Sequence, residues 1–524
     1  MIRSRRFRQL GVVVLVTAFA FACYHVTRRA VQRQSRVTLR FAHWQLEGGI
    51  RDAFDAIARD YEVLHPGIHI AQQLIPETIY TSWGTTQIIG GVAPDLMEIG
   101  KSMGGPEVYS YFLPITEETD QRNPYNAGTP LAGLPWRNTY TGSMDGLNNT
   151  EIYGASVFAS TTRIYYNVNL LREITGSEEP PRTFEQLLAL CAQVRAHAAR
   201  TGHVLAPLAG SRLYGIVMMD DLLRSQTQRL ACEMNPGLRF PTDNTELYLA
   251  YLNRQWSLDH PGIRGGAELM RLVSREMPPG FMQFGREESL FYFVQGRALM
   301  LMAFSQDATS ILRQVNFPVG VFRDPLPEPA ATGFGANLVG PNSEGALNVY
   351  GPFGIPRSSP HPALAIDFLR FLTSQTENQK FSRLSGSLPV IVGVEPEGFA
   401  KNFMPDGHGF PPAPSLLIGG AGQAFLKQLH WLTGADASSD VFLHALAGEL
   451  GAGMRADLDS HRRALQRFVA LNDGSIEAAR QMLRGPAAAP ARSRKYQGLV
   501  ENQNEQEATA YYIQLRLKQA GRMP

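Results

Sequence analysis

The order of elements in the first hundred residues predicts an α/β fold with a parallel sheet. Apolar and polar residues alternate over 37–44, which places Val37, Leu39 and Phe41 on one face of a strand. The next segment, "GGIRDAFDAIARDYEVLHPG", carries an apolar helical stripe that begins at Ile50 and stops at a Pro-Gly pair. A strand, a helix and a third strand follow as "IHIAQQLI", "TSWGTTQIIGG" and "APDLMEIG". Strands separated by helices at this spacing pair in parallel, and such sheets bind ligands beyond the carboxyl ends of their strands.

The rest of the chain continues with strands, helices and two long loops. Residues 114–150 and 323–348 are rich in Pro, Gly and Asn, which predicts loops, the first of them on the surface. A strand is predicted over 155–166, and Thr183 is predicted to cap the helix that follows. The C-terminal region is predicted in three parts: helical at 439–484, a linker at 484–498 and a last helix at 499–519.

The charge of the chain argues against a nucleic-acid-binding role. Its 524 residues carry a net charge of +2, with 44% hydrophobic and 18% charged residues. Residues 1–36 contain eight arginines and no acidic residue, so the remainder has 41 basic and 47 acidic residues, a net charge of −6. The body is therefore mildly acidic and lacks the basic excess that phosphate binding needs. The length predicts two or more domains.

The first 36 residues are predicted to direct export. A basic start, "RSRRFRQL", leads into an apolar run over 10–22, and the tripeptide A-F-A at 20–22 fits a signal-peptidase site. Three fates are compatible with this segment: a cleaved signal peptide, a membrane anchor retained with the basic stretch "RRAVQRQSR", or lipid attachment at Cys23. All three place the body in the periplasm or on the outer face of the cytoplasmic membrane.

The sequence contains no recognised catalytic or metal-binding pattern, so it predicts neither an enzyme nor a bound cofactor. There is no H-E-x-x-H, G-x-S-x-G or P-loop motif, and Cys23, Cys191 and Cys232 lack zinc-ligand spacing. Cys191 lies in an apolar helix, which is typical of a buried thiol, and a Cys191–Cys232 disulfide is compatible with an oxidising compartment. A secreted glycoside-active enzyme stays open as a remote alternative, because its two carboxylates would be neighbours in space and not in sequence.

Aromatic residues beside turns at predicted strand ends are candidates for a binding surface. Aromatic faces pack against apolar ligand faces, and the polar edges of Trp and Tyr donate hydrogen bonds. Trp44 is the strongest candidate, because it follows the first strand where an open sheet binds its ligand. Glu47 stands close by and precedes two glycines that allow close approach. Tyr80 and Trp83 follow the second strand and are weaker candidates.

Four longer stretches carry a family resemblance. The first is "VTLRFAHWQLEGGIRDAFDAIARDYEVLHPGIHI" with "GGVAPDLMEIG", and the second is "IYGASVFASTTRIYYNVNLLRE" with "PPRTFEQLL". The third is "PPGFMQFGREESLFYFVQGRALMLMAFSQDAT", and the fourth is "FGIPRSSPHPALAIDFLRFLTS". In this order they resemble the extracellular solute-binding proteins of ABC importers, the large maltose-binding-like group that takes up sugars. The resemblance covers residues 37–385 and leaves out 485–524.

The resemblance implies a two-lobed, periplasmic-binding-protein-like α/β fold with discontinuous lobes. Crossing strands join the lobes and act as a hinge, and the solute lies in the cleft between them. The implied boundaries are 37–157 with 350–385 for lobe 1, 158–349 with 386–484 for lobe 2, and 485–524 for a linker and C-terminal helix.

The resemblance also implies ligand-binding positions wherever a family motif matches. The family's "GGSW" turn, which offers a stacking Trp, reads Phe304-Ser305-Gln306 here, so Gln306 replaces the Trp and Phe304 is the candidate substitute. Ser160 and Thr161 at the first crossing have a second interpretation, as turn hydroxyls that only satisfy the backbone. The full set of candidates is Trp44, Glu47, Tyr80, Trp83, Lys101, Ser102, Ser160, Thr161, Phe304, Ser305, Gln306, Tyr350 and Phe353.

The function that the resemblance implies is reception of a solute without chemical change. The protein is expected to be a monomer that binds a carbohydrate or related polyol and delivers it to the permease subunits of an ABC importer. A membrane-tethered solute sensor or glycan receptor on the same fold is the alternative. The basic N-terminal segment and the C-terminal tail favour that alternative.

Overall fold

A computed structural model of the chain describes residues 37–99, 108, 111–144, 151–235, 243–331, 333–344, 348–434, 436–484 and 490–521. The predicted signal or anchor in residues 1–36 lies outside these described residues. So do the candidates Lys101 and Ser102.

The first of two β-sheets begins with the predicted parallel strands. Its strands are β1 (Val37–His43), β2 (Ile68–Leu74), β3 (Leu96–Glu98), β4 (Gly154–Ser160) and β9 (Asn348–Gly354). Their order across the sheet is β2-β1-β3-β9-β4. The parallel pairing of β1 with β2 and β3 is confirmed, and β9 returns antiparallel to both β3 and β4.

The second sheet is smaller and buried on both faces. Its strands are β5 (Thr162–Asn167), β6 (Ala206–Ala209), β7 (Ala298–Phe304) and β8 (Val319–Phe322), in the order β6-β7-β5-β8. β6 pairs in parallel with β7, whereas β5 is antiparallel to β7 and β8. Along β5, Ile164 and Tyr166 belong to one apolar cluster and Tyr165 to another. Elements packed on both faces therefore cover this sheet.

Helices connect the strands and supply most of the apolar packing. The first nine in the described chain are α1 (Gly48–Leu64), α2 (Glu77–Ile89), α3 (Thr116–Thr119), α4 (Val168–Thr175), α5 (Phe184–Thr201), α6 (Arg212–Gln226), α7 (Gln228–Glu233), α8 (Asn244–Leu252) and α9 (Pro261–Ser274). The next are α10 (Arg286–Val294), α11 (Ala308–Gln314), α12 (Pro362–Leu372), α13 (Gln375–Ser385), α14 (Gly419–Gln428), α15 (His430–Thr433), α16 (Ser439–Ala447), α17 (Leu450–Met482) and α18 (Pro490–Ala520). Over the described ranges no helix has both the length and the apolar character to cross a membrane. Cys191 is buried and Cys232 is exposed, and both are free thiols.

Helix α1 shows how the apolar stripe of a helix fixes it to the first sheet. Ile50, Phe54, Ile57 and Tyr61 are all buried, as their spacing predicts. Leu64, predicted to extend the stripe, is 59% exposed because the helix ends there and the chain turns away. Each buried side chain of this size contributes about 1.5–3 kcal/mol relative to exposure. The stripe therefore holds the start of α1 firmly at the carboxyl end of β1.

The chain passes from the first sheet to the second at Ser160–Thr162. β4 ends at Ser160 in the first sheet, and β5 begins at Thr162 in the second. The predicted boundary between 157 and 158 therefore falls inside β4. The polar side chains of Ser160 and Thr161 therefore lie where the two lobes meet.

A stretch after α13 also differs from the predicted lobe boundaries. Leu388 forms a bridge with Ala159, and Thr141 N donates a hydrogen bond to Val390 O at 2.9 Å. The prediction that all of 386–484 belongs to the second lobe is wrong for this stretch. Backbone hydrogen bonds attach it to the first lobe before the chain moves on.

Most of the region predicted as a long surface loop is a packed part of the first lobe. Trp136 is completely buried, and its indole nitrogen donates a hydrogen bond to Thr373 Oγ1 at 3.0 Å. Short helical turns at Pro124–Asn126 and Trp136–Thr139 satisfy local backbone groups. The Pro- and Gly-rich composition indicated irregular backbone correctly, but buried anchors such as this indole are not visible in composition.

The C-terminal region forms a pair of long helices. α17 spans Leu450–Met482, and α18 begins at Pro490, inside the stretch predicted as a linker. Proline is favourable at the first position of a helix, because its missing N–H has no intrahelical partner there. The linker prediction for 490–498 is therefore wrong, and the last helix has 31 residues, ten more than the predicted range 499–519.

Candidate functional site

Polar candidates from the two lobes meet where the chain crosses between them. β4 ends at Ser160, while β7 of the second lobe ends at Phe304 opposite Thr162. Ser160 Oγ lies 3.0 Å from Ser305 Oγ and donates a hydrogen bond to Gln306 Oε1. These three polar residues are at most 3% exposed. The structure thus joins three predicted site residues in one hydrogen-bonded group at the seam between the lobes.

The neighbouring candidates Thr161 and Phe304 have partners of their own. Thr161 Oγ1 donates a hydrogen bond to Phe403 O at 2.7 Å, which is the backbone-satisfying role foreseen as its second interpretation. The half-buried Phe304 ring lies 5.8 Å from the Tyr214 ring, between centroids. Phe304 therefore lines the second-lobe side of the seam beside a tyrosine.

A half-buried arginine that the sequence did not single out links the two lobes. Arg286 opens α10 in the second lobe, and its Nη2 donates hydrogen bonds to Glu47 Oε1 of the first lobe, at 2.5 Å, and to Asp307 Oδ1. Its Nε donates to Tyr214 Oη at 2.9 Å. Tyr214 Oη in turn donates to Asp307 Oδ2 at 2.7 Å. One guanidinium therefore bridges carboxylates that belong to opposite lobes.

Burial controls the charges in this network. Burial raises the pKa of Glu47, and the positive charge of Arg286 opposes this effect. Burial also disfavours the charged guanidinium, but Asp307, Tyr214 and Glu47 outweigh it and raise the pKa of Arg286. Glu47 Oε2 is buried and has no hydrogen-bond partner among the described residues. It is an unused acceptor at the seam.

The first turn of α1 fits closely against α13 of its own lobe and α11 of the second lobe. A Cβ at Gly49 would lie 2.9 Å from Ser385 O and 3.2 Å from Thr309 Cβ, so only glycine fits there. Thr309 Oγ1 donates a hydrogen bond to Ser385 O at 2.9 Å, and Arg313 pairs with Asp52 at 3.5 Å. Both contacts join the second lobe to the first. The lobes are therefore in contact around the predicted ligand-binding turn.

The buried carboxyl of Glu98 accepts hydrogen bonds from the loop that contains Trp44. Trp44 is half-buried, and its backbone nitrogen donates to Glu98 Oε2 at 3.3 Å. Gln45 Nε2 donates to Glu98 Oε1 at 2.8 Å. Glu98 is completely buried at the end of β3, and burial raises its pKa to about 8. At neutral pH this carboxyl is therefore mainly protonated, a property that the sequence did not reveal.

Two aromatic candidates lie in the core and do not face the seam. Tyr80 is 1% exposed, and its hydroxyl donates to Glu98 O at 2.7 Å. Phe353 is completely buried, with its ring centroid 4.8 Å from that of Phe41. Both rings are enclosed by first-lobe packing, and contact of Tyr80 and Phe353 with a solute stays a prediction. Trp83 is half-buried beside Tyr80, at 5.8 Å between ring centroids.

The remaining candidates stay predictions. Tyr350 is described through its backbone, which pairs with Phe158 between β9 and β4. Lys101 and Ser102 lie outside the described residues. The groups assembled at the seam are hydroxyls, an amide, carboxylates and a guanidinium, which bind polar molecules through hydrogen bonds. Over the described residues, no group of three or more His, Cys, Asp or Glu has a metal-binding arrangement.

The sequence matches a family described as bacterial extracellular solute-binding protein over residues 85–405. This match covers more than half of the chain, so the protein belongs to the bacterial extracellular solute-binding proteins. The resemblance found in the sequence is thereby confirmed. No curated protein matches the chain.

Solved structures of sugar-binding receptors share the fold. RafE in complex with raffinose is 16% identical with a TM-score of 0.57, and the match covers 80% of this chain and 100% of RafE. Its apo form from Streptococcus pneumoniae also matches. A chitin oligosaccharide binding protein is 14% identical with a TM-score of 0.57, covering 80% of this chain and 99% of its own. Maltose-bound MalE3 of T. maritima is 16% identical with a TM-score of 0.56, covering 79% and 98%. At these identities the likeness establishes the two-lobed α/β fold alone.

Proposed function

We propose that the protein is an exported receptor of an ABC importer and that it binds a carbohydrate or related polyol between its lobes. The supporting observation is the convergence of Ser160, Ser305, Gln306 and Glu47 at the seam, from both lobes. A sugar presents many hydroxyls, and each needs a partner once it is enclosed, because unpaired buried polar groups are costly. Trp44, three residues before Glu47, offers an aromatic face for the apolar side of a sugar ring.

The exchange of a stacking Trp for Gln306 shapes the proposed specificity. An amide offers both a donor and an acceptor but no ring face. Gln306 already accepts a hydrogen bond from Ser160, so its NH₂ group is available to orient a solute hydroxyl. The proposed site therefore relies on hydrogen bonds at the second lobe and on aromatic contact at Trp44 of the first.

Calorimetry and thermal unfolding with a panel of sugars test the proposal. The panel contains raffinose, maltose and chitin oligosaccharides, the sugars of the solved structures that share the fold, together with simple polyols. A solute at 100 times its Kd stabilises the folded protein by about 2.7 kcal/mol. Gln306→Ala is expected to weaken binding up to roughly tenfold, the value of one hydrogen bond. Gln314→Ala, an exposed glutamine of the same lobe, is the matched control.

Two outcomes count against the proposal. In the first outcome, no sugar of the panel stabilises the protein at millimolar excess. In the second, a sugar stabilises the parent, the Gln306→Ala variant and the Gln314→Ala variant equally well. The first outcome removes the support for carbohydrate binding. The second places the binding of that sugar away from the seam.

A membrane-tethered solute sensor is the second candidate. The observation that favours it is the pair of helices α17 and α18, which lie beyond the family match that ends at residue 405. Mass spectrometry of the mature N-terminus separates the two candidates. Retention of residues 1–36 in a membrane fraction supports the sensor, and a cleaved N-terminus supports a freely diffusing receptor for the permease.

A further inference from the structure

The C-terminal helices α17 and α18 form an antiparallel pair, called here the hairpin, that contacts both lobes. Near the start of α18, Lys495 Nζ pairs with Glu117 of the first lobe at 3.2 Å. Arg494 Nη2 pairs with Asp120 of the first lobe at 3.0 Å. α18 has 31 residues and is therefore about 46 Å long, at 1.5 Å per residue. That length carries the far end of the same helix to the second lobe.

The other end of the hairpin is part of the second-lobe core. Ile513 is completely buried and Ala510 is 5% exposed, and both belong to the apolar cluster of the second lobe. Tyr512 Oη donates a hydrogen bond to Glu246 Oε2 of α8 at 3.0 Å. In α17, Asp457 accepts hydrogen bonds from the backbone at the start of α14. Detaching this end exposes core residues.

The two helices are tied to each other between these ends. Asn472 Nδ2 of α17 donates to Leu499 O at 3.3 Å and to Gln503 Oε1 at 3.2 Å of α18. Gln503 Nε2 donates back to Asp473 Oδ1 at 2.7 Å. The hairpin therefore behaves as one stiff element, and movement at one end is transmitted to the other.

The contact with the first lobe is the weaker of the two. Its ion pairs are partly exposed, and pairs of this kind contribute little to stability. A cavity of about 450 Å³ lies at this contact, lined by Glu151 and Tyr153 of the first lobe and by Phe468 and Leu499 of the hairpin. When one end must release, the first-lobe end releases.

We propose that the hairpin is a brace that holds the two lobes together and must release the first lobe before the cleft opens. Hinge opening moves the lobes as rigid bodies, and a stiff element attached to both cannot keep both attachments. The hairpin and the ion pair between Glu47 and Arg286 thus both favour the closed arrangement of the lobes. The inference concerns lobe motion alone, so it does not depend on which solute binds.

Interlobe distances in the solute-free, full-length protein test the brace. Spin labels at Glu77→Cys and Glu185→Cys, exposed positions on opposite lobes, report the distance by double electron–electron resonance. Cys23 and Cys232 are first replaced by serine. The two labels give a short distance when the lobes are closed and a longer one when they part. The buried Cys191 stays in place.

Four charge variants are compared on this labelled protein. Lys495→Glu turns an attraction into a repulsion and is expected to lower the ratio of closed to open lobes about fivefold, the effect of about one exposed ion pair. Glu117→Lys is expected to do the same from the other side of the contact. Combining the two changes restores an ion pair and the parent distribution. Lys518→Glu, an identical charge change on the exposed far end of α18, leaves the distribution unchanged.

Two results overturn the brace. One is a distance distribution that is the same in the parent and in both single variants. The other is an equal shift in Lys495→Glu and Lys518→Glu, which reports net charge and not the contact. Because no sugar is present, either result leaves the proposed solute binding to be judged by calorimetry alone.

Discussion

Replacing Glu98 by glutamine is expected to remove a pH-dependent weakness of the first lobe. The carboxyl is completely buried, and burial raises its pKa from 4.5 to about 8. Between these pH values the carboxyl is protonated in the folded protein and ionised in the unfolded chain, so the free energy of unfolding falls as pH rises. At 1.36 kcal/mol per pH unit, the loss reaches about 5 kcal/mol at pH 9, as an upper estimate.

Glutamine keeps the neutral shape of the protonated side chain and an acceptor for the backbone of Trp44. The variant and the parent are therefore expected to differ by less than about 1 kcal/mol in free energy of unfolding at pH 5, just above the ordinary pKa of a glutamate, where little of the loss has accumulated. At pH 9 the Glu98→Gln variant is the more stable by up to about 5 kcal/mol. Urea denaturation at pH 5, 7 and 9 measures this difference, with the exposed Glu395→Gln as control. An equal difference between variant and parent at pH 5 and pH 9 shows that Glu98 does not cause the pH dependence.

Three further predictions concern the seam and the first lobe. Arg286→Met leaves two buried carboxylates without their cation and is expected to lower the free energy of unfolding by about 3–5 kcal/mol. The control Arg313→Met, which breaks an exposed ion pair, is expected to cost at most about 1 kcal/mol. Equal losses of the two variants in urea denaturation contradict the role of Arg286. Gly49→Ala places a Cβ 2.9 Å from Ser385 O of the first lobe and 3.2 Å from Thr309 Cβ of the second. It is expected to lower the free energy of unfolding by about 1–3 kcal/mol, as overpacking does. The Cβ of Gly48→Ala has 3.7 Å of room, and equal losses in the two variants count against the close fit. Trp136→Phe removes the indole N–H that donates to Thr373 and is expected to lower the free energy of unfolding by about 1–3 kcal/mol. An unchanged melting temperature argues against close packing of the loop that contains Trp136.

The fold was predictable because its signals are local and ordered. The apolar stripe of α1 and the alternation along β1 specify a helix and a strand within a few residues. The order of strands and helices along the chain then predicts parallel pairing. The attachment of 386–394 to the first lobe was not predictable, because it depends on backbone bonds between segments more than 200 residues apart, such as Val390 with Thr141. The extension of α18 to Pro490 was missed because alanine- and proline-rich composition is shared by linkers and helix starts.

The candidate site was predictable only in part, for a related reason. Ser160, Ser305 and Gln306 were chosen as candidates because they lie in turns that match family motifs. The structure brings them together, and their contact with a solute stays a prediction. Arg286 was missed because its partner Glu47 is 239 residues away, and no local pattern marks an interlobe ion pair. The burial of Tyr80 was not predictable, because an aromatic residue after a strand has the same sequence signature whether it faces the core or a ligand.

The most direct test of solute binding at the seam is a crystal structure with the sugar that gives the largest thermal stabilisation. Binding at the seam predicts electron density for the sugar between the lobes, within hydrogen-bond distance of Gln306 and Glu47 and against the ring of Trp44. Density confined to another site, such as the cavity beneath the hairpin, with the contact between Glu47 and Arg286 intact and the seam empty, contradicts it.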